Sequence, residues 1–193
     1  MLQHRFLIGL AIAGLVAGTA GSAQQAKSAA SPAKAPASAS PVLVFEFVKG
    51  TVEIETYPTD SPKSVAHVID LVRTGFYRGL RVHWAKPGVV QFGDPLTKDM
   101  TKRDLWGSGG SGHPVGLAET SARKFERGMV GLGYRQEYSP KTADSQIFIL
   151  TSPNPALNGK YAMLGHVSDG MAVVDKLDVP DVIRNAYIKG EKK

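Results

Sequence analysis

The sequence contains no cysteine, and this absence excludes whole classes of chemistry. Disulfide bonds, thiol nucleophiles, cysteine-based zinc sites and iron–sulfur clusters all require that residue. The five histidines show no metal-ligand spacing, and the acidic residues form no close pair suited to general acid–base chemistry. We therefore expect no metal and no cofactor. The enzymes that remain are those that work by shape and hydrogen bonding.

One apolar run lies at the start of the chain, and it predicts export. Arg5 provides a positive charge, residues 6–20 are apolar, and Gly21-Ser22-Ala23 offers a cleavage site. The run is short for a membrane span of about 20 residues. Residues 1–23 are therefore interpreted as a signal peptide of a periplasmic or secreted protein, with no stable membrane insertion after cleavage. An uncleaved anchor is the alternative.

Residues 24–41 lack leucine, isoleucine and aromatic side chains and are rich in alanine, serine and proline. This composition predicts a flexible linker, so the folded domain is expected over residues 42–193. The net charge of +6 is misleading, because Arg5, Lys27 and Lys34 precede the domain and no acidic residue does. Half the excess is thereby removed. The remaining basic residues are scattered, so nucleic-acid binding is not expected.

The domain begins with patterns typical of a β-hairpin and a helix. Residues 42–57 alternate on both sides of Lys49-Gly50, which predicts two strands and a turn. Ser61 then suits a helix N-cap, Pro62 the first helical position and Gly75 the stop. The apolar face of this helix is expected to comprise Val65, Val68, Ile69 and Val72.

Further short strands are predicted along the rest of the chain, at residues 81–85, 89–92, 128–134, 145–151, 162–167 and 182–189. A second, shorter helix is predicted over residues 169–177. Many short strands with turn signals favour a sandwich or a barrel, and the lack of regular βαβ alternation argues against a doubly wound sheet.

Two local patterns are interpreted as structural. Gly107-x-Gly109-x-x-Gly112 matches a dinucleotide-binding motif, but no apolar strand precedes it and His113-Pro114 follows where a helix should begin. We expect a flexible loop there. His83 lies in an apolar strand, which favours a hydrogen-bonded core histidine.

Seven segments in sequence order resemble the cyclophilin-type peptidyl-prolyl isomerases. The segments are Gly50-Thr51-Val52-Glu53-Ile54-Glu55, Ser61-Pro62-Lys63-Ser64-Val65, Gly75-Phe76-Tyr77-x-Gly79-Leu80, Val82-His83-Trp84-x-x-Pro87-Gly88-Val89-Val90-Gln91-Phe92-Gly93-Asp94-Pro95, Asp144-Ser145-Gln146-Ile147-Phe148-Ile149, Leu157-Asn158-Gly159-Lys160-Tyr161 and Asp169-Gly170-Met171 with Val173-Val174-Asp175-Lys176. The resemblance implies a mainly β fold, a closed eight-stranded antiparallel β-barrel capped by two α-helices. It also implies a monomer that binds proline-containing polypeptides.

The resemblance also implies where the site residues lie. The family's catalytic arginine position is Trp84, and its backbone-binding glutamine is Gln91. Substrate-binding positions fall on Val89, Val90, Gly133, Tyr134, Gln146, Phe148, Leu157 and Tyr161. The family's site tryptophan is replaced by Ala156.

Trp84 leaves two functions open. Indole carries one neutral N–H donor where guanidinium carries five charged ones. Lys86, two residues on, is expected to share the strand face of Trp84 and to replace part of the missing charge; the plain alternatives are a solvated lysine and a surface aromatic that fills the arginine's place. The first function is a prolyl isomerase of exported proteins with weakened activity. The second is a non-catalytic proline-binding or chaperone-like domain.

Overall fold

The computed structural model describes residues 40–134 and 139–191, and one β-hairpin opens the domain, as the alternation predicts. The elements are β1 (Val42–Phe47), β2 (Gly50–Thr56), α1 (Pro62–Arg73), β3 (Val82–Lys86), β4 (Val89–Phe92), β5 (Met129–Leu132), β6 (Ile147–Leu150), β7 (Ala162–Asp169), α2 (Met171–Val174) and β8 (Ile183–Ile188). The predicted leader and most of the predicted linker lie outside the described residues. Among those described, no helix is long and apolar enough to cross a membrane.

The eight strands form one antiparallel sheet with the order β3-β4-β6-β5-β7-β2-β1-β8. The sheet curls until its two outermost strands meet. Arg81, just before β3, forms an antiparallel bridge with Val182, just before β8, and Ile183 N–H donates to Leu80 O at 2.8 Å. The predicted eight-stranded antiparallel barrel with two helices is thereby confirmed.

The barrel interior is filled by aromatic and branched side chains. The rings of Phe45, Phe47, Tyr77 and Phe92 pack edge to face, with centroids 5.2–5.3 Å apart for neighbouring pairs. The hydroxyl of Tyr77 is fully buried, and it donates to the backbone oxygen of Ser145 at 3.0 Å. Burial raises the pKa of this phenol well above its ordinary value, so it stays a neutral donor.

Helix α1 packs against β7 and β8 through its predicted apolar face, which is buried. Its start differs in detail from the prediction. Ser61 occupies the N-cap position, but its buried hydroxyl has no hydrogen-bond partner among the described residues. The carboxylate of Glu119 accepts the N–H groups of Lys63 and Ser64 instead, at 3.0 and 2.7 Å. Gly75 follows the helix with φ 72°, as expected of a helix stop.

The second helix is shorter than predicted. It spans four residues, Met171–Val174, rather than residues 169–177. Asp169 still belongs to β7, and Gly170 takes a left-handed φ of 88° with its backbone so close to Thr51 that a Cβ would overlap the Thr51 oxygen. The polypeptide therefore turns at Gly170 before the helix can begin.

Candidate active site

A row of side chains crosses the outer face of the barrel at the centre of the candidate site. Trp84 of β3 lies opposite Gln91 of β4, Gln91 opposite Phe148 of β6, and Phe148 opposite Gly131 of β5. Directly opposed residues in antiparallel strands present their side chains on the same face. The predicted catalytic positions Trp84 and Gln91 and the predicted pocket residue Phe148 are thus brought side by side.

The glycine in this row makes room for the phenylalanine. A Cβ on Gly131 would overlap the far end of the Phe148 ring, so only glycine leaves room for the ring there. Phe148 is 5% exposed and packs with Phe125, at 5.6 Å between centroids, and with Tyr161, at 5.3 Å. A second apolar cluster therefore lies outside the barrel and forms the floor of a surface cavity.

That cavity gathers most of the predicted substrate-binding residues. It has a volume of about 190 Å³, and we call it the proline pocket. Its lining comprises Val89, Gln91, Gly133, Tyr134, Phe148, Leu150, Asn154, Leu157 and Tyr161. The rings of Tyr134 and Tyr161 pair at 4.6 Å between centroids. Burial and, less strongly, Tyr161 raise the pKa of the Tyr134 phenol, so its hydroxyl stays protonated. Apolar walls with a few polar groups suit a proline ring.

Val90 does not lie in this pocket. It pairs with Ile149 of β6 and is 3% exposed inside the barrel core. Successive strand residues point to opposite faces, so Val89 and Gln91 cannot face the groove unless Val90 faces inward. The prediction for Val90 is corrected: it is a core residue.

Gln146 lies beside the pocket and fixes its neighbours. Its Nε2 donates to the oxygens of Gly107 and Gly109, both at 2.8 Å, and its Oε1 accepts from Gln91 Nε2 at 2.8 Å. Because the two carbonyls require the Gln146 amide nitrogen, the Gln91 amide must present its own nitrogen to Gln146. The glycine-rich loop thereby orients Gln91.

Two carboxylates, which the sequence analysis did not select, hold the same loop. Asp94 Oδ2 accepts the N–H groups of Gly107 and Gly109 at 2.5 and 3.0 Å. Asp144 accepts from Ser111 Oγ at 2.5 Å, from the Gly112 N–H at 3.0 Å and from His67 Nε2 at 3.1 Å. The loop expected to be flexible is therefore tied down along its length.

The Asp144 contacts leave an electrostatic signature. Burial alone would raise the pKa of its carboxyl, but the hydrogen bonds from His67, Ser111 and Gly112 together outweigh burial and hold that pKa below its usual range. Asp144 thus stays ionised and keeps accepting hydrogen bonds. It also forms part of a cavity of about 700 Å³ between the loop and Gly133-Tyr134.

The β3 side of the row is more open. Trp84 is 50% exposed and lies on the barrel surface. Lys86 Nζ lies 5.8 Å from the centre of the Trp84 ring, which agrees with the expected shared face, and Lys86 pairs with Val89 of the proline pocket.

His83 is half-buried and borders a surface cavity, so it is not the hydrogen-bonded core histidine that was expected. Both ring nitrogens are shielded from solvent, and neither has a hydrogen-bond partner of good geometry among the described residues. Burial lowers the pKa of the imidazole, and Asp94 and Gln146 offset part of that effect. His83 is therefore neutral at neutral pH. In the same described part of the chain, no cluster of three potential metal ligands occurs.

The fold is an eight-stranded antiparallel barrel with a small apolar pocket on its outer face. Comparison with known proteins identifies the family that has this fold. Residues 42–190 match the family model of the cyclophilin type peptidyl-prolyl cis-trans isomerase/CLD. The chain therefore belongs to the cyclophilin-type peptidyl-prolyl cis-trans isomerases and is an isomerase enzyme, as the resemblance implied.

Curated relatives agree with this assignment, and a solved structure has the same fold. A "Probable peptidyl-prolyl cis-trans isomerase" of Brucella abortus is 37% identical over 188 residues, which is 95% of this chain and 91% of the relative. "Peptidyl-prolyl cis-trans isomerase B" of Bacillus subtilis is 30% identical over 141 residues, 72% and 91% of the two chains. A Cryptosporidium parvum cyclophilin, crystallised in the presence of the dipeptide Ala-Pro, matches at a TM-score of 0.67 and 24% identity over 78% of this chain and 99% of its own.

Proposed function

We propose that the enzyme isomerises Xaa-Pro bonds in exported proteins, assists their folding, and does so at a reduced rate because Trp84 stands where the family has arginine. The observation that carries the proposal is the row Trp84–Gln91–Phe148 beside the proline pocket. The proposal assigns the pocket to the proline ring and Gln91 to the peptide backbone. Trp84 supplies no charged donor.

The chemistry requires little beyond these parts. Rotation about the peptide bond crosses a barrier of about 18–20 kcal/mol, and it proceeds without a nucleophile, metal or cofactor. The pocket formed by Phe148, Leu157 and Tyr161 holds the proline ring. Gln91, oriented by Gln146, donates to the peptide backbone. In the twisted state the proline nitrogen is no longer conjugated, and a nearby cationic donor would stabilise it.

The magnitude of the expected loss follows from comparable sites. Removing one preorganised donor from an active site costs about 10²–10³ in rate, or about 2.7–4 kcal/mol. If an intact site supplies about 10⁵, about 7 kcal/mol, binding and positioning alone still leave measurable catalysis. Lys86, whose Nζ lies 5.8 Å from the Trp84 ring centre, is proposed to recover a part of the rate that is lost without the arginine.

The test is a rate measurement on the purified protein and on Trp84→Arg with an Xaa-Pro peptide. We expect Trp84→Arg to increase kcat/KM by about ten- to a hundredfold, because it restores a charged donor next to Gln91. Trp84→Phe is the matched control, since it keeps an aromatic ring and adds no charge. Equal rates for the arginine variant and the parent would show that charge is not limiting. Peptide binding without acceleration in either protein would leave the non-catalytic binding function.

The export part of the proposal is supported by the apolar leader with its preceding Arg5 and its small residues 21–23. The mature protein is expected to be a periplasmic or secreted monomer that begins after residue 23. N-terminal sequencing of the protein recovered from the periplasm or medium, together with its mass in solution, tests this. Retention in the membrane fraction with Met1 intact would show an uncleaved anchor instead.

A further inference from the structure

Both tryptophans of the chain line one cavity, which is separate from the proline pocket. Trp84 and Trp106 are the only two in the sequence, and both border a cavity of about 620 Å³ together with Leu105, Asp104 and Gln91. We call it the tryptophan cleft. The proposed function uses Trp84 only as the position of a missing arginine and gives the cleft no role.

The cleft exposes an unusual amount of apolar surface. Four large apolar side chains are strongly exposed among the described residues, and two of them belong to the cleft: Trp84 at 50% and Leu105 at 52%. Burying apolar surface is favourable by about 25 cal/mol for each Å² removed from water. An apolar group of a ligand would therefore gain binding free energy in the cleft. Trp106 is held in place by its indole N–H, which donates to Asp99 O at 3.2 Å.

The charges at the cleft argue for an apolar occupant over a cationic one. A free tryptophan face attracts cations, but here the protein's own cations occupy both rings. Lys86 Nζ lies 5.8 Å from the Trp84 ring centre, and the Arg103 guanidinium lies 5.2 Å from the Trp106 ring centre. A further cation would meet these two positive groups, which outnumber Asp104, the one carboxylate among the described residues that line the cleft. An aromatic or branched aliphatic side chain meets no such repulsion.

The cleft is continuous with the groove that holds the proline. Gln91 borders both the cleft and the proline pocket, and Trp84, Gln91 and Phe148 lie in register on three adjacent strands. Strands lie about 4.8 Å apart, so the row from Trp84 to Phe148 spans about 10 Å, roughly three residues of extended peptide. A peptide with its proline over Phe148 therefore reaches the cleft with a side chain a few residues away.

We propose that the tryptophan cleft is a specificity subsite that takes a large apolar side chain of the same polypeptide, within about three residues of the proline. The proposal rests on the proposed function, because the proline pocket fixes the register of the peptide. It assigns Trp84, Leu105 and Trp106 to substrate selection. Preferred segments would then be proline sequences with a nearby phenylalanine, leucine or similar residue.

The first experiment scans phenylalanine through an alanine–proline peptide, replacing the alanine at each of three positions on either side of the proline in turn. Isomerisation by the whole protein is followed by NMR exchange. We expect one or two positions to raise kcat/KM by about tenfold over the all-alanine peptide, equivalent to about 1.4 kcal/mol, chiefly through a lower KM. Tryptophan emission should shift with those peptides, because both tryptophans line the cleft.

Substitutions on the protein identify the side chains that cause the higher kcat/KM for phenylalanine peptides. Leu105→Ser is expected to reduce the preference for the phenylalanine peptide, expressed as the ratio of the two kcat/KM values, to within about twofold. Met100→Ser is the matched control, since Met100 is 43% exposed in the same 3-10 helical segment but does not line the cleft. It should keep the full ratio.

The outcomes separate the two proposals. Turnover of every peptide at one rate, with no emission shift, would overturn the subsite and leave the isomerase proposal intact. A preference that survives Leu105→Ser would place the phenylalanine elsewhere and also overturn the subsite. Acceleration of no peptide would overturn the proposed catalysis, while an emission shift confined to phenylalanine peptides would still support the subsite. A dimer that Leu105→Ser dissociates would assign the patch to self-association instead.

Discussion

The two ends of the row across the barrel face are built differently. At the β6 end, Phe148 is 5% exposed, packed between aromatic neighbours and set against Gly131, where any Cβ would overlap its ring. At the β3 end, Trp84 is 50% exposed with a lysine near its ring. A substitution at Phe148 therefore affects both peptide binding and stability, whereas a substitution at Trp84 has little effect on stability. A change in catalytic chemistry is therefore tolerated at Trp84 far better than a change in shape at Phe148.

The largest effect should come from truncating the packed end. Phe148→Ala is expected to lower the free energy of unfolding by about 3–5 kcal/mol, the usual cost of a Phe→Ala cavity, and to weaken proline-peptide binding. Trp84→Ala should change the free energy of unfolding by less than about 1 kcal/mol, since exposed side chains contribute little to stability. Urea unfolding of both variants measures the contrast. Equal losses would mean that the two ends are packed alike and that the comparison is wrong.

Phe92→Ala is the control for binding. Phe92 is fully buried in the barrel interior and is not exposed to the groove, so its truncation should cost similar stability. Under conditions where each variant is folded, peptide affinity should fall for Phe148→Ala and stay near the parent value for Phe92→Ala.

An intermediate effect on stability is expected at Asp144, which holds the glycine-rich loop that orients Gln91 in the middle of the row. Asp144→Asn should lower the free energy of unfolding near neutral pH by about 1.5–3 kcal/mol, the range for hydrogen bonds to a charged group. The folded protein depresses the pKa of this carboxyl. Its contribution is therefore fully present above the unfolded-state pKa and is lost as pH falls through the folded-state value.

The pH profile is the decisive measurement for Asp144. Below the folded-state pKa the parent and Asp144→Asn should approach equal stability, because the parent carboxyl is then protonated as well. Asp70→Asn, on the solvent side of α1 with a 74% exposed side chain, should leave the profile nearly unchanged. A constant difference between parent and Asp144→Asn at every pH would rule out the charge as the cause.

The smallest effect is expected at Lys86. Lys86→Ala should reduce kcat/KM by a few fold at low ionic strength if its charge partly replaces the missing arginine, and the reduction should diminish with added salt because exposed charges are screened. Lys63→Ala, an exposed change on α1, is the control. An unchanged rate for Lys86→Ala at low salt would make Lys86 a solvated residue beside a turn.

Much of this architecture follows from local patterns. Alternation located the eight strands to within a few residues, and the spacing of Val65, Val68, Ile69 and Val72 predicted the buried face of α1. Local rules failed where distant residues compete. Glu119 replaces Ser61 as the cap of α1, from more than 50 positions along the chain.

The candidate site shows the same division. Resemblance placed Gln91, Phe148 and Tyr161 together, and the structure brings them to one pocket. The prediction for Val90 was wrong because matching consecutive motif residues to a site ignores strand alternation, which directs every second side chain into the core. The hydrogen bonds from the loop to Asp94 and Asp144 could not be predicted, since they depend on how the loop folds back over residues 13 to 33 positions away and not on a local pattern. The only local signal was a cluster of glycines with no side chains of their own to hold the loop.

The pairing of β1 with β8 brings the two ends of the domain together, since the Lys189 N–H donates to Val42 O at 2.9 Å. A short connecting peptide could therefore join residue 190 to residue 42, and new termini could be opened in a surface turn elsewhere. Along the sheet order, β5, β7 and β2 separate β1 from the groove strand β6, whereas across the closure β8 lies beside β3. A domain that is circularly permuted at these neighbouring ends is therefore expected to fold into the same barrel.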